Sequence, residues 1–123
     1  MRSRYAAFVM GLGEYLVRTL AATHPDRARP HDDLVRALSR AKETQRFLGL
    51  RILHAAMDGD VGEVLFFARV FERGADRSFA ELSTFVREGD AWRYADGRLV
   101  PAAKLPKDID AMTREAFVAA ADG

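Results

Sequence analysis

Between Phe47 and Gly97 the chain is a succession of apolar, branched runs cut at short intervals by glycine and aspartate, and this punctuation decides the second half of the fold. Residues 47 to 56, 63 to 71 and 78 to 88 each carry enough branched and aromatic side chains for a strand. Each run ends in turn chemistry: Asp58-Gly59-Asp60-Val61-Gly62, then Gly74 with Asp76, then Gly89-Asp90. The second run is almost continuously apolar, which predicts a strand covered on both faces at the sheet centre. Gly89-Asp90 is the most informative turn, because glycine in the first position of a two-residue loop suits a type II′ hairpin. That loop fixes a register in which Arg87 faces Trp92 and Phe85 faces Tyr94. One face then carries Phe79, Glu81, Ser83, Phe85 and Arg87 with Trp92 and Tyr94, and the other carries Ala80, Leu82, Thr84, Val86 and Glu88 with Ala91, Arg93 and Ala95. The fourth strand, 91 to 95, is expected to stop at the turn signal Asp96-Gly97.

The first third follows a different period. Tyr5, Phe8, Val9 and Leu12 recur at helical spacing, and Tyr15, Leu16, Thr19 and Leu20 continue the stripe beyond Gly11 and Gly13, which separate two helices or bend one. Pro25 and Pro30 bracket a loop from 23 to 31. A third helix is expected from Asp32 or Asp33, whose carboxylates can cap it, with Leu34, Leu38 and Ala41 on one face. After Pro101 and Pro106 the tail turns helical again, with Asp108 as a cap and Ile109, Met112, Ala116 and Phe117 as an apolar stripe that packs on the domain or on a partner. Helices followed by an antiparallel meander make an α+β domain over residues 1–100, with helices on one face of a bent sheet and a C-terminal helical extension over 101–123.

Composition excludes several functions. Nineteen basic and 18 acidic residues among 123 leave a net charge of +1, too little for a broad field that would grip a nucleic-acid backbone. Arg27, Arg29, Arg36, Arg40, Lys42 and Arg46 form a local basic cluster, but interspersed acids and the lack of aromatic residues there fit a solvated helix surface. The chain contains no cysteine, which removes disulfides and thiolate metal sites and fits a reducing compartment. The first apolar stretch is broken at Gly11, Gly13, Glu14 and Arg18, so neither a membrane span nor a secretory signal is expected, and a cytoplasmic location is. No metal or cofactor is expected. His24, His31 and His54 lack paired ligand spacing, and Asp58, Asp60 and Glu63 fall short of a calcium loop and fit a solvated hairpin.

The ordered set Met1-Arg2-Ser3-Arg4-Tyr5, Gly13 to Leu16, Thr23-His24-Pro25, Leu48-Gly49-Leu50 with Ile52-Leu53, Val64 with Phe66 and Ala68-Arg69, Glu81 with Ser83 and Phe85-Val86-Arg87-Glu88, and Trp92 with Tyr94 and Asp96-Gly97 resembles the middle domain of the YchJ family of SEC-C proteins over residues 1 to about 97. The resemblance implies a nuclear transport factor 2-like cone, with helices packed into the hollow of a strongly bent sheet. Several positions depart from the family pattern. The chain lacks the cysteines of the zinc knuckles, so knuckle functions do not carry over. Ala22 and Phe47 stand where the family often has tryptophan, Ala80 and Leu82 where a histidine and an arginine commonly flank the third-strand glutamate, and the segment Arg27 to Arg46 is longer than usual.

The chemistry-bearing residues gather on the predicted inner face. Tyr15, His24, Glu81, Arg87, Trp92 and Tyr94 are the candidate ligand-binding set, an apolar and aromatic wall with a few polar groups to fix orientation. The same residues also admit a purely structural reading. Trp92 over Arg87 makes a cross-strand cation–π pair of about 0.5–1 kcal/mol, Glu81 makes an ion-pair partner for Arg87 or Arg69, and a histidine before proline ties the ends of a loop. Two functions follow: a binding or interaction module with a small pocket, taking a small molecule or protein partner or a second copy through the exposed sheet face; or a lyase or isomerase in which His24 and Glu81 work as an acid–base pair.

Overall fold

The computed structural model describes Arg4 and residues 13–22, 24–40 and 45–122. The expected positions Tyr5, Phe8, Val9, Gly11, Leu12, Ala41 and Lys42 lie outside these. Helix α1 (Gly13–Arg18) carries Leu16 and Val17 inward, and a 3-10 turn at Pro25–Ala28 occupies the expected loop. Helix α2 (His31–Ser39) follows, and Val17, Leu20 and Leu34 close a small core between the two helices with Val35, Leu38 and Tyr94 around it. The expected aspartate cap is absent. Pro30 holds the cap position in extended geometry, so the helix begins at His31 and both aspartates fall inside its first turn. There they favour the helix through its dipole rather than through a capping bond.

Four long strands form the meander: β1 (Gln45–Asp58), β2 (Val61–Glu72), β4 (Phe79–Glu88) and β5 (Ala91–Pro101). They lie in the order β1-β2-β4-β5 with every neighbour antiparallel, and the two-residue β3 (Ala75–Asp76) pairs with β2. β2 therefore sits inside the sheet, as its continuous apolar run requires. Gly89 has φ of 64°, the left-handed value that a type II′ turn needs at this position. The predicted pairs Arg87 with Trp92 and Phe85 with Tyr94 both occur.

β5 does not stop at Asp96-Gly97. Phe85 pairs with Tyr94 and Thr84 with Asp96, leaving Ala95 as an extra residue on β5, and the strand continues to Pro101. A bulge takes up the conformational freedom that the composition attributes to a turn. It also changes the phase of the strand. Trp92 and Tyr94 face the helices before the bulge, Gly97 and Leu99 face them after it opposite Ser83 and Glu81, and Val100 turns to the far side beside Ala80.

Both faces of the sheet are covered. On the α1 side, Phe66, Ala68 and Val70 pack with Phe47, Leu50, Ile52 and Phe79. On the other side, Leu65, Ala80, Leu82 and Val100 receive Met112 and the fully buried Phe117 from the tail. Burying a phenylalanine ring contributes about 1.5–3 kcal/mol. Phe117 lies on helix α3 (Arg114–Asp122), so the tail packs on the face that was expected to be open. Asp108 precedes only a 3-10 turn (Ile109–Ala111) and makes no side-chain cap; Thr113 Oγ1 accepts from Ala116 N–H at 3.1 Å instead. Three ion pairs tie the tail to the sheet: Arg51 with Asp110 at 3.0 Å, Arg98 with Asp122 at 2.5 Å, and Arg114 with Glu63 at 2.6 Å.

Candidate functional site

The site is organised by Tyr94, whose backbone is held from both sides. Its N–H donates to Thr19 O at 2.7 Å and its carbonyl accepts from Ala21 N–H at 2.6 Å, so the segment after α1 runs beside β5 like a short parallel strand. With the main chain fixed, the phenol reaches across the sheet and donates to Glu81 Oε2 at 2.8 Å. Ser83, fully buried, donates to the same oxygen at 2.5 Å. Gly97 makes this possible. A Cβ there would collide with the Tyr94 hydroxyl and lie 2.5 Å from Glu81 Oε2, so only glycine leaves room for the three-residue cluster. Burial first, and the adjacent Glu81 charge second, push the Tyr94 hydroxyl well above its ordinary pKa, so it stays protonated and donates even in alkaline solution.

Three groups pack on the Tyr94 ring, one of them Phe85, edge-on at 5.7 Å. The His24 ring lies 5.5 Å away, centroid to centroid, and the Arg4 guanidinium carbon stands 4.7 Å above the ring centre. Arg4 is only 6% exposed, and it donates to the Leu16 carbonyl at 2.9 Å and to the Thr19 hydroxyl. Burial lowers its pKa, although a guanidinium remains charged in proteins. Arg4 is thus a buried cation clamped between α1 and the sheet.

Two cavities open on either side of this arginine. The larger, about 480 Å³, lies toward the β1–β2 and β4–β5 hairpins and is lined by Tyr15, Thr19, Ala55, Val64, Phe85 and Trp92, with Arg4 at its wall. The smaller, about 370 Å³, lies on the other side and is lined by His24, Glu81, Tyr94, Phe47, Phe66 and Leu99, again with Arg4. Their volumes fall at or just above the lower end of the range for small-ligand sites.

Comparison with known proteins gives this arrangement a family. Residues 1–97 match the model of the YchJ middle NTF2-like domain. The chain belongs to the YchJ family. A UPF0225 protein of Polaromonas naphthalenivorans is 41% identical over 98 residues, covering 79% of this chain and 65% of the relative. A UPF0225 protein YchJ of Shigella dysenteriae is 37% identical over 101 residues, covering 79% of this chain and 62% of the relative. The chain thus spans a little under two-thirds of the length of these relatives. Among solved structures, a SEC-C motif containing protein from Rhodopseudomonas palustris superposes with a TM-score of 0.66 at 35% identity, covering 81% of this chain and 75% of its own. A cystatin-like domain from Nostoc punctiforme shares the fold alone, with a TM-score of 0.64 at 15% identity over 98% of this chain and 87% of its own. The nuclear transport factor 2-like, α+β fold expected from the resemblance is therefore the fold of this protein.

Within this YchJ-family domain the six candidate residues do not share one chamber. Tyr15 and Trp92 line the larger cavity, and His24, Glu81 and Tyr94 line the smaller one. Arg87 is among the lining residues of neither cavity; it stands 5.2 Å from the Trp92 ring and pairs with Asp60 at 3.4 Å, the structural role its strand position allowed. His24 and Glu81 share no hydrogen bond. His24 Nδ1 accepts from Asp26 N–H at 3.0 Å, capping the 3-10 turn, and Tyr94 bonds Glu81 while packing on His24. Ala80 and Leu82, the two departures flanking Glu81, point to the far face and are buried beneath α3, so they belong to the core in this chain. Glu63 lies apart from Asp58 and Asp60: it accepts from Arg114 Nε at 2.6 Å and bonds His54 Nε2 at 3.2 Å. The Arg114 hydrogen bond first, and His54 second, hold its carboxyl below the usual range. Sequence reasoning passed over Arg4, Thr19 and Gly97 as site residues. Arg4 and Gly97 stand in the matched family segments, and that placement was the available signal.

Proposed function

We propose that this domain is a small-molecule binding module whose ligand occupies the larger cavity, the one lined by Phe85, Trp92, Val64, Ala55 and Met57. The observation that carries the reading is that this chamber of about 480 Å³ has mostly apolar walls with a few polar groups, Arg4, Thr19 and Tyr15, beside a Glu63 whose carboxylate is already bonded to Arg114 and His54. Apolar walls supply affinity and convergent polar groups supply orientation. The His24–Glu81 pairing needed for proton transfer is interrupted by Tyr94, and both residues already serve structural partners, which favours binding over catalysis. Trp92 is the only tryptophan in the chain and stands 37% exposed at the cavity, so its emission reports occupancy directly. Titrating the protein with a panel of apolar fragments should shift Trp92 emission saturably. Ala55→Phe, which puts a ring into the chamber from an exposed position on β1, should abolish that shift while leaving the unfolding midpoint within about 2 °C, since an exposed substitution changes stability by only about 0.5 kcal/mol. Unchanged fragment binding in Ala55→Phe would refute the reading.

A further inference from the structure

The charge at the cavity wall specifies the ligand further, and this step rests on the binding reading above. Arg4 is 94% buried by its residual exposure of 6%, yet its acceptors among the described residues are neutral: the Leu16 carbonyl and the Thr19 hydroxyl. No described carboxylate bonds it. Glu81, the nearest acid in the Tyr94 cluster, is committed to Ser83 and Tyr94 and lines the other cavity. Glu63, whose chain lines the larger cavity, turns its carboxylate to Arg114 and His54. A buried guanidinium without a bonded anion is costly to keep, and a guanidinium has five N–H donors in a planar fork that fits a carboxylate in bidentate fashion. The two cavities differ in this respect. The smaller holds Glu81 and Asp26 beside Arg4, a field that repels anions, whereas the larger sets Arg4 among aromatic and aliphatic walls with the Tyr15 and Thr19 side chains, and its one acid, Glu63, is already paired with Arg114.

We propose that the larger cavity binds an amphiphilic monocarboxylate, with its carboxylate on the Arg4 fork and its apolar body between Phe85, Trp92 and Val64. The acid enters ionised, and no proton or bond changes hands.

The test compares two probes of equal shape, 4-phenylbutyrate and its neutral amide, by Trp92 emission at pH 7. The wild-type protein should bind the acid about tenfold or more tightly than the amide, because a hydrogen-bonded charge pair adds that much to a neutral one. Arg4→Gln should bring the two probes to within about threefold of each other, and Arg4→Lys should keep a reduced preference for the acid, since it retains the charge and loses the fork. Arg4 also anchors Leu16 and Thr19, so the wild-type comparison stands by itself if either variant fails to fold. Equal binding of acid and amide to the wild-type protein would overturn the carboxylate assignment and leave the binding reading intact. Silence of Trp92 toward both probes would overturn the two together.

Discussion

Replacing Gly97 with alanine tests the central cluster at the cost of a single methyl group. Gly97 lies opposite Ser83 in the β4–β5 ladder and is not at a positive φ, so alanine meets no backbone strain there. In an open site the change would stabilise by about 0.4–1 kcal/mol, because alanine restricts the unfolded chain. Here the new Cβ would strike the Tyr94 hydroxyl and the Glu81 carboxylate, which cannot both retreat: Tyr94 is packed by Arg4, His24 and Phe85, and Glu81 is bonded to buried Ser83. One charge-assisted hydrogen bond is lost, about 1.5–3 kcal/mol. The balance is a destabilisation of about 1–2 kcal/mol, or a Tm lower by about 4–8 °C for a domain of this size. Urea unfolding of Gly97→Ala measures it. A double-mutant cycle with Tyr94→Phe assigns the cause, because removing the hydroxyl should recover at least half of the loss. Equal or raised stability of Gly97→Ala would refute the steric argument, and additivity with Tyr94→Phe would show that the damage lies elsewhere.

Two more outcomes follow from the tail. Because the Glu63 carboxyl is held below its ordinary value of 4.5 in the folded state, its stabilisation is complete above that value and disappears as pH falls through the depressed one. Glu63→Gln should therefore cost stability at about pH 7 and much less at about pH 3, read from urea midpoints; an equal cost at both would contradict the Arg114 pairing. Phe117→Ala empties a fully buried site between α3 and the sheet and should cost about 3–5 kcal/mol, measured by chemical denaturation. A loss under about 1 kcal/mol would mean that the tail is not part of the core.

Much of the fold was legible because local chemistry and global pairing agree. Gly89-Asp90 fixes its hairpin and hence the facing of Arg87 with Trp92, and the uninterrupted apolar run of β2 places it inside the sheet. What misled was chemistry with two uses. Asp96-Gly97 has the composition of a turn but serves as strand beyond a bulge, where glycine is needed for close approach rather than for chain reversal. The aspartates at the start of α2 read as caps, but the restricted geometry of Pro30 moves the helix start ahead of them. The site was half legible for a related reason. Strand alternation correctly put Glu81, Ser83, Trp92 and Tyr94 on one face, but a linear pattern carries no sign that Arg4, far away in sequence, divides the space above that face in two. His24 is expected as an acid–base group because imidazole titrates near neutrality, and the structure gives one of its two ring nitrogens, Nδ1, to the backbone of its own loop.

The surplus residue at Ala95 makes the pairing of β5 as decisive as its composition. Were the bulge to flatten so that Ala95 took a place in the ladder opposite Thr84, everything downstream would rotate half a turn: Val100 would leave its seat beneath α3 for the hollow, and Leu99 would be pressed against Phe117's packing layer. Hairpin tips elsewhere in the molecule can absorb a lost or gained amino acid as a loop of altered span. Here a one-residue slip in pairing would turn the sheet's lining inside out.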